Sequence, residues 1–160
     1  MTDFGELYKK YAPDVYRFAL YLSGEKSEAE DITSETFVRA WTSPEAIRVA
    51  TVKAYLFTIA RNLYRHSWRK KSRNVALNDE MRDPAAGPEA LAGIGAELRA
   101  VLAGLQELPE EDRAALLMRA NEGLSYEEIS QALGLSLASV KVKIHRARLA
   151  LLALLKIRDA

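Results

Sequence analysis

The sequence predicts an all-α protein of two small helical domains joined by a flexible acidic linker. Apolar residues recur at helical spacing along most of the chain, no segment shows the strict alternation of a strand, and the composition changes after Arg73. The predicted boundaries are 1–73 for the first domain, 74–95 for the linker and 96–160 for the second domain. Because 49% of the 160 residues are hydrophobic, the chain has enough apolar residues to form two small hydrophobic cores.

The first domain opens with apolar residues at i, i+3, i+4 and i+7, namely Phe4, Leu7, Tyr8 and Tyr11. A second run follows Pro13, which suits the first turn of a new helix and predicts a break there. Ser27 with Glu30 three residues later has the pattern of a capping box, so we expect a third helix to begin at Ser27. A long helix is expected over about 52–71. Its buried face carries Leu56, Ile59 and Leu63.

Residues 74–95 contain two Pro and three Gly and read as the linker. Four helices are expected after it, the first two over "AELRAVLAGLQEL" and "PEEDRAALLMRANE". Ser125 and Glu128 predict a capping box at the start of the third. Gly134 is placed for a tight turn with positive φ, and Ser136 is placed to cap the fourth helix.

This last helix lies in "LSLASVKVKIHRARLAL", residues 135–151, which contains no acid. Its apolar face is formed by Val140, Ile144, Ala147 and Leu151, and its basic residues lie elsewhere on the helix. A short capped helix, a Gly-containing turn and a basic helix are typical of a helix-turn-helix that enters the major groove of DNA. The alternative is an amphipathic surface helix with a solvated basic face.

A second acid-free basic run, "RNLYRHSWRKKSR", covers residues 61–73 and interleaves cations with aromatic residues. This combination suits unpaired nucleotides, which need stacking faces and phosphate neutralisation. Some of these aromatic residues are needed in the core, and the sequence leaves Tyr64 and Trp68 undecided between the two roles.

The segment "AEDITSETFVRAW" places acidic and polar residues and one valine on a single face, namely Asp31, Ser34, Glu35 and Val38. Such a face is either solvated or a surface for a protein partner.

The sequence contains no residue pattern that indicates a catalytic site. There is no Cys, only two His and no Gly-rich phosphate loop. We therefore expect no enzyme activity, no metal and no cofactor. The net charge is only +1, no apolar run approaches the roughly 18 residues of a membrane span, and the N-terminus lacks a secretory signal. The expected protein is cytoplasmic, without membrane insertion.

Three segments, in this order and spacing, resemble the extracytoplasmic-function (ECF, group IV) sigma factors of bacterial RNA polymerase. "AEDITSETFVRAW" is similar to region 2.2 of that family, and "VKAYLFTIARNLYRHSWRKKSR" to the segment that melts and reads the −10 element. "LPEEDRAALLMRANEGLSYEEISQALGLSLASVKVKIHRARLAL" is similar to region 4. The resemblance covers nearly the whole chain.

The resemblance implies an RNA polymerase sigma factor that binds core polymerase, recognises −35 and −10 elements and promotes promoter melting. Binding to the clamp helices of the largest subunit is implied for Asp31, Ser34, Glu35 and Val38. Binding or melting of the −10 element is implied for Arg61, Asn62, Tyr64, Arg65, Trp68 and Arg69, with the loop 42–51 capturing a flipped base. The acidic linker would thread the active-site cleft.

Contacts with the −35 element are implied for Ser139, Lys141, Val142, Lys143, His145 and Arg146. Region 4 is also expected to dock on the β-flap through apolar residues such as Leu116 and Leu117, and a cognate anti-sigma factor is the usual regulator. The sequence departs from the family where Ser34 replaces a frequent Gln and where Val142 occupies a position that is often polar.

Two other functions remain compatible with parts of the sequence. A two-domain regulator that binds DNA alone would share the helix-turn-helix but would leave the acidic helix unexplained. A helical adaptor would use the basic faces to bind acidic proteins.

Overall fold

In the part of the chain that the structure describes, the helical periodicity of the sequence produces seven α-helices. The structure, a computed structural model, describes residues 4–42, 51–77 and 95–159, with side chains described up to 70 in the second range and up to 156 in the third. The helices are α1 (Phe4–Ser23), α2 (Lys26–Thr42), α3 (Val52–Leu77), α4 (Ala96–Gln106), α5 (Glu110–Ala120), α6 (Tyr126–Leu133) and α7 (Leu137–Asp159). No strand occurs in these ranges, and the all-α class is confirmed.

The break predicted near Pro13 is wrong, because α1 runs through that residue without interruption. Pro13 lies on the exposed side of α1, where the carbonyl group that loses its N–H partner can face water. Val15, Phe18 and Leu22 are fully buried on the other side. Their burial favours one continuous helix over the local preference of proline to begin a new one.

The predicted cap at Ser27 is also wrong, because α2 begins at Lys26 and Ser27 lies exposed in its first turn. Gly24 has a φ of +75°, which ends α1 and turns the chain sharply. The backbone N–H of Glu25 donates to Ser23 Oγ at 3.2 Å, and the carbonyl of Glu25 accepts from the N–H of Ala29 at 3.0 Å. The short turn therefore sets the start of α2 two residues earlier than a cap at Ser27 predicts.

The first three helices pack around buried aromatic residues. The rings of Phe18 on α1 and Phe57 on α3 lie 5.0 Å apart, and Tyr8 meets Phe37 of α2 at 4.9 Å. On α3, Leu56 and Ile59 are buried as predicted, and Leu63 is partly buried against the same core.

The buried apolar residues of α1–α3 and of α4–α7 form one connected cluster. Helix α1 contacts α4 and α5, and α3 contacts α6. Helix α3 continues to Leu77, past the predicted boundary at 73, and residues 78–94, which hold most of the predicted acidic linker, lie outside the described ranges. The two predicted domains thus pack directly against each other.

Candidate nucleic-acid interface

Helices α6 and α7 and the turn between them form a helix-turn-helix. The Ser125–Glu128 capping box is confirmed: the N–H of Glu128 donates to Ser125 Oγ at 3.1 Å, and the N–H of Ser125 donates to Glu128 Oε1 at 3.0 Å. Gly134 ends α6 in the left-handed region, with φ of +66°. Ser136 Oγ then accepts from the N–H of Ser139 at 3.1 Å, which confirms the second cap.

Burial on α7 follows the predicted apolar face. Val140, Ile144 and Ala147 are buried, and Leu151 is partly buried against the core. The opposite side of the first three turns is open to solvent. It carries Lys141, Val142, His145 and Arg146.

The six residues predicted to contact the −35 element differ in the exposure and the contacts of their side chains. Val142 is 60% exposed and His145 is exposed beside it, so both present their side chains directly to solvent. The Nζ of Lys141 lies 5.5 Å from the ring centroid of Tyr126, a cation–π distance that holds the ammonium near the start of α6. Ser139 is partly buried, because its N–H is engaged in the cap of α7.

Arg146 and Lys143 lean toward α5. Arg146 donates from Nε to Asp112 Oδ2 at 2.7 Å and from Nη2 to Asp112 Oδ1 at 2.8 Å. The Nζ of Lys143 lies 3.9 Å from Asp112 Oδ1. The hydrogen bonds that Arg146 donates to Asp112 raise the pKa of Arg146 above its ordinary value. No feature of the sequence pattern singles out Asp112 as a partner of the basic helix.

The residues of α3 that are predicted to contact the −10 element fall into an exposed group and a buried group. Asn62 and Arg69 are exposed, Arg65 is partly exposed, and Trp68 has 58% of its surface in solvent. Tyr64, which the sequence left undecided, is buried, and its hydroxyl accepts a hydrogen bond from Arg113 at 3.0 Å. Trp68 is thus the aromatic side chain of this helix that is available for stacking.

Arg61 is the second buried −10 candidate, and an acid from the other half of the chain explains its burial. Its Nε and Nη2 donate to the two carboxylate oxygens of Glu110, both at 2.7 Å, while only 3% of its side chain is exposed. Glu110, Glu111 and Asp112 form the first turn of α5, as predicted for acids at a helix N-terminus. A cleft of about 280 Å³ lies between this turn, α3 and α7.

A buried carboxylate provides a second link between the halves. The side chain of Glu122 has no exposed surface and accepts from Arg17 of α1 at 3.0 and 3.2 Å, with Lys53 Nζ at 3.8 Å. Desolvation raises the pKa of Glu122, and the hydrogen bond to Glu122 raises that of Arg17. The hydrogen bonds from Arg17 and the charges of Arg17 and Lys53 act against this desolvation, because they favour the ionised carboxylate.

The acidic face predicted on α2 is confirmed in its geometry. Its polar members, Asp31, Ser34 and Glu35, are exposed, and so is Val38. The opposite face, with Ile32, Thr33, Thr36 and Phe37, is buried. A surface next to it holds Phe4 and Trp41, with rings 4.9 Å apart and Trp41 largely exposed.

An apolar groove lies along the second half and reaches Tyr21 of α1. It is lined by residues of α4, α5 and α7 and by Tyr21, and Leu116 and Leu117 form part of its floor. Both leucines are buried, so a partner would contact their edges together with the more exposed Leu152. The loop 42–51, predicted to capture a flipped base, falls almost wholly outside the described residues.

Within the described ranges, no group of three His, Cys, Asp or Glu residues has the geometry of a metal site. None of the described helices combines the length and the apolar character that a membrane crossing demands.

Two family models match the chain. The model "Sigma-70 region 2" matches residues 7–74, and "Sigma-70, region 4" matches residues 98–151. The two matches cover α1–α3 and α4–α7, so each half of the structure corresponds to one conserved region.

The sequence is similar to curated sigma factors along most of its length. It is 38% identical to ECF RNA polymerase sigma factor SigE of Mycolicibacterium smegmatis over 92% of this chain, but it spans only 60% of that protein. It is 34% identical to ECF RNA polymerase sigma factor SigM of Bacillus subtilis, with 93% of both chains covered.

Solved structures agree with these similarities. The sigma factor RpoE of Bartonella quintana, crystallised with the anti-sigma factor NepR, is 30% identical and superposes with a TM-score of 0.81 over 98% of this chain and 99% of RpoE. CnrH, solved with the cytosolic domain of CnrY, is 28% identical, with a TM-score of 0.71 over 96% and 88% of the two chains. Two conserved regions in their family order, relatives that match most of this chain and a shared fold lead to one conclusion: this chain belongs to the ECF RNA polymerase sigma factors.

Proposed function

We propose that this chain binds core RNA polymerase, recognises promoters at −35 and −10 elements and promotes DNA melting. The observation that carries the proposal is the joint presence of two solvent-facing basic surfaces, one in each sigma region. Helix α7 offers Lys141, Val142, His145 and Arg146 from a helix-turn-helix, and α3 offers Asn62, Arg65, Trp68 and Arg69. Duplex recognition and single-strand capture need two such different surfaces.

For the −35 element, α7 would enter the major groove with its N-terminal turns. Lys141 and Lys143 would neutralise phosphates, while His145 and Arg146 would reach base edges. The methyl groups of Val142 would contact a thymine methyl group, because a valine side chain makes no hydrogen bond. Ser139 would meet the backbone at the start of the helix.

For the −10 element, Trp68 supplies a stacking face and Arg65 and Arg69 supply positive charge beside it, while Asn62 has the amide needed to read a base edge. Arg61 and Tyr64 are enclosed between the halves. Arg61 and Tyr64 could contact DNA only if the two regions separated. They would then extend the α3 surface that Trp68 and its neighbours form.

Core polymerase would bind the α2 face, where Asp31, Ser34, Glu35 and Val38 offer charge around an apolar contact. The apolar groove with Leu116 and Leu117 suits the β-flap. Because RpoE was crystallised with an anti-sigma factor, we expect an anti-sigma partner here as well. The chain would act in the cytoplasm as an initiation factor without catalytic chemistry of its own and without a cofactor.

Reconstitution with core polymerase tests the proposal through Lys141→Ala. Because Lys141 is assigned to a phosphate, we expect the variant holoenzyme to bind promoter DNA several-fold more weakly, with a salt-dependence slope reduced by about 1. The control is Lys156→Ala, which removes an exposed cation of the same helix beyond the predicted DNA-binding turns and should have little effect. Footprints at −35 that are identical for the two variants would contradict the assignment.

The same reconstitution tests the α2 face. Asp31→Lys should weaken binding to core polymerase, whereas Glu97→Lys, an exposed charge reversal on α4, should not. Tight, sequence-specific duplex binding by the free protein together with no affinity for core polymerase would instead identify a regulator that acts alone.

A further inference from the structure

Arg146 combines exposure with a fixed orientation. Its side chain is 57% exposed, yet its guanidinium is held by two short hydrogen bonds to Asp112, whose side chain is only 2% exposed. An exposed arginine ordinarily samples many rotamers, and ordering it on a ligand costs up to about 2 kcal/mol of side-chain entropy. Here the partner carboxylate already imposes one orientation before any ligand binds.

The hydrogen bonds to Asp112 occupy one side of the guanidinium and leave another free. A guanidinium carries five N–H donors, and the pair with Asp112 uses the Nε donor and one Nη2 donor. The two donors of Nη1 and the second donor of Nη2 remain on the outer edge. This edge still offers two parallel donors, the arrangement that matches guanine O6 and N7 or two phosphate oxygens.

Asp112 is itself firmly placed. It lies in the first turn of α5, where the helix dipole stabilises a negative charge, and α5 packs closely on α7. Its carboxylate also lies 3.9 Å from Lys143 Nζ. The group formed by Asp112, Lys143 and Arg146 therefore keeps a net positive charge, so it still attracts DNA.

We propose that Asp112 is a positioning residue for promoter recognition: it holds the guanidinium of Arg146 so that its outer edge meets a pair of acceptor atoms on −35 DNA. The inference rests on the proposed function, since it presupposes that α7 binds the −35 element. Asp112 does not touch DNA itself. Its effect on binding passes through Arg146, which it holds at 2.7 and 2.8 Å, rather than through Lys143, whose Nζ lies 3.9 Å away.

The test uses the full chain in holoenzyme with duplexes that the wild-type holoenzyme selects from a pool randomised at −35. Asp112→Asn keeps the shape of the side chain but replaces one acceptor oxygen by a donor group that opposes Arg146. We expect its affinity for the best duplex to fall about tenfold, which corresponds to about 1.4 kcal/mol. Glu111→Gln, which removes a charge from the same helical turn, is the matched control and should change affinity less than twofold.

A double-mutant cycle separates positioning from a general structural role. In an Arg146→Ala background, Asp112→Asn should have no further effect on affinity. An equal loss of affinity with and without Arg146 would overturn the proposal. Unchanged or tighter DNA binding by Asp112→Asn alone would also overturn it, because it would show that Asp112 merely competes with DNA for Arg146. If Asp112→Asn fails to fold, Asp112→Glu asks the same question, because it keeps the charge but moves the carboxylate that holds Arg146. This variant should also lose affinity, and only when Arg146 is present.

Single-base substitutions in the selected duplex distinguish the two sources of acceptor atoms. If the outer edge meets guanine, Asp112→Asn abolishes the preference at one −35 position and leaves the others intact. If it meets phosphates, the variant weakens all sequences equally, and still only when Arg146 is present. If the wild-type holoenzyme selects no −35 sequence, both the proposed function and the inference are refuted. If it selects a −35 sequence and Asp112→Asn leaves that selection unchanged, the inference alone is refuted.

Discussion

Arg113 joins four parts of the molecule through one guanidinium. It donates to the carbonyl of Leu22 at the end of α1 and to the hydroxyl of Tyr64 on α3. It also donates to the carbonyl of Leu105 in the last turn of α4 and to that of Leu108 in the loop before α5. A buried cation is tolerated when its donors are satisfied by well-placed oxygens. In the sequence, Arg113 is one more charged residue on an amphipathic helix, and its central role depends on groups that lie up to 91 residues away.

Glu128 carries two roles that its spacing to Ser125 reveals only in part. One carboxylate oxygen completes the capping box, as predicted, and the other accepts from Thr51 Oγ1 at 2.6 Å across the two halves. The hydrogen bond from Thr51, followed by that from the backbone of Ser125, lowers the pKa of Glu128. The ionised form is therefore favoured in the folded state.

The stability contributed by Glu128 should depend on pH. A carboxyl group whose pKa is lower in the folded state stabilises the protein above its unfolded pKa of about 4.3 and loses this effect as the pH falls through the folded pKa. Glu128→Gln should be less stable than the wild type at neutral pH, and this difference should shrink below about pH 4.3. Urea unfolding of both proteins across the range measures the difference, and a constant gap would contradict the linkage.

At the scale of elements, the helix-turn-helix shows how far local sequence determines structure. Its start, turn and second cap each depend on groups within four residues, and Ser125, Gly134 and Ser136 all behave as their positions predict. Pro13 and Ser27 show the converse, since the packing of α1 and the turn at Gly24 override equally reasonable local signals. Local patterns are thus most reliable where no tertiary contact competes with them.

Gly134→Ala should destabilise the helix-turn-helix by about 1–2 kcal/mol, the cost of a left-handed backbone for an L-residue. No atom lies within 4 Å of the Cβ that alanine would add, so the cost is conformational rather than steric. Gly95→Ala is the matched control: it has equal space but a φ of −59°. Urea unfolding of both variants compares the costs, and equal losses would show that the turn does not require glycine.

At the scale of the whole molecule, acids of region 4 meet cations of region 2. Glu110 holds Arg61, and Glu122 holds Arg17. The charge map of the sequence shows basic and acidic segments that alternate along the chain, and it predicts that the acids must meet some partner. In the structure, some of these acids pair with cations of the same chain.

Glu110→Gln should loosen the packing between the two regions. Removal of the acid leaves the buried charge of Arg61 uncompensated. Because the side chain of Glu110 is itself 25% exposed, the cost should lie below the roughly 3–5 kcal/mol of a fully buried pair. Separation of the regions relieves this cost by hydrating Arg61, so X-ray scattering should show a larger radius of gyration. Glu107→Gln, an exposed acid at the end of α4, is the control, and an unchanged radius and melting temperature for Glu110→Gln would contradict the role of the pair.

The sequence by itself determined the helical class, the positions of most helices, the helix-turn-helix, the exposed acidic face of α2 and the sigma family. The family is indicated by the resemblance of three segments, whereas the other features depend on periodicity, caps and turns, which operate within a few residues. Only the tertiary structure decided that Arg61 and Tyr64 are enclosed while Trp68 is free, and that Arg146 is oriented by Asp112. Such pairings join residues 34 and 49 positions apart, and they depend on how the helices pack, which no short pattern of the chain records.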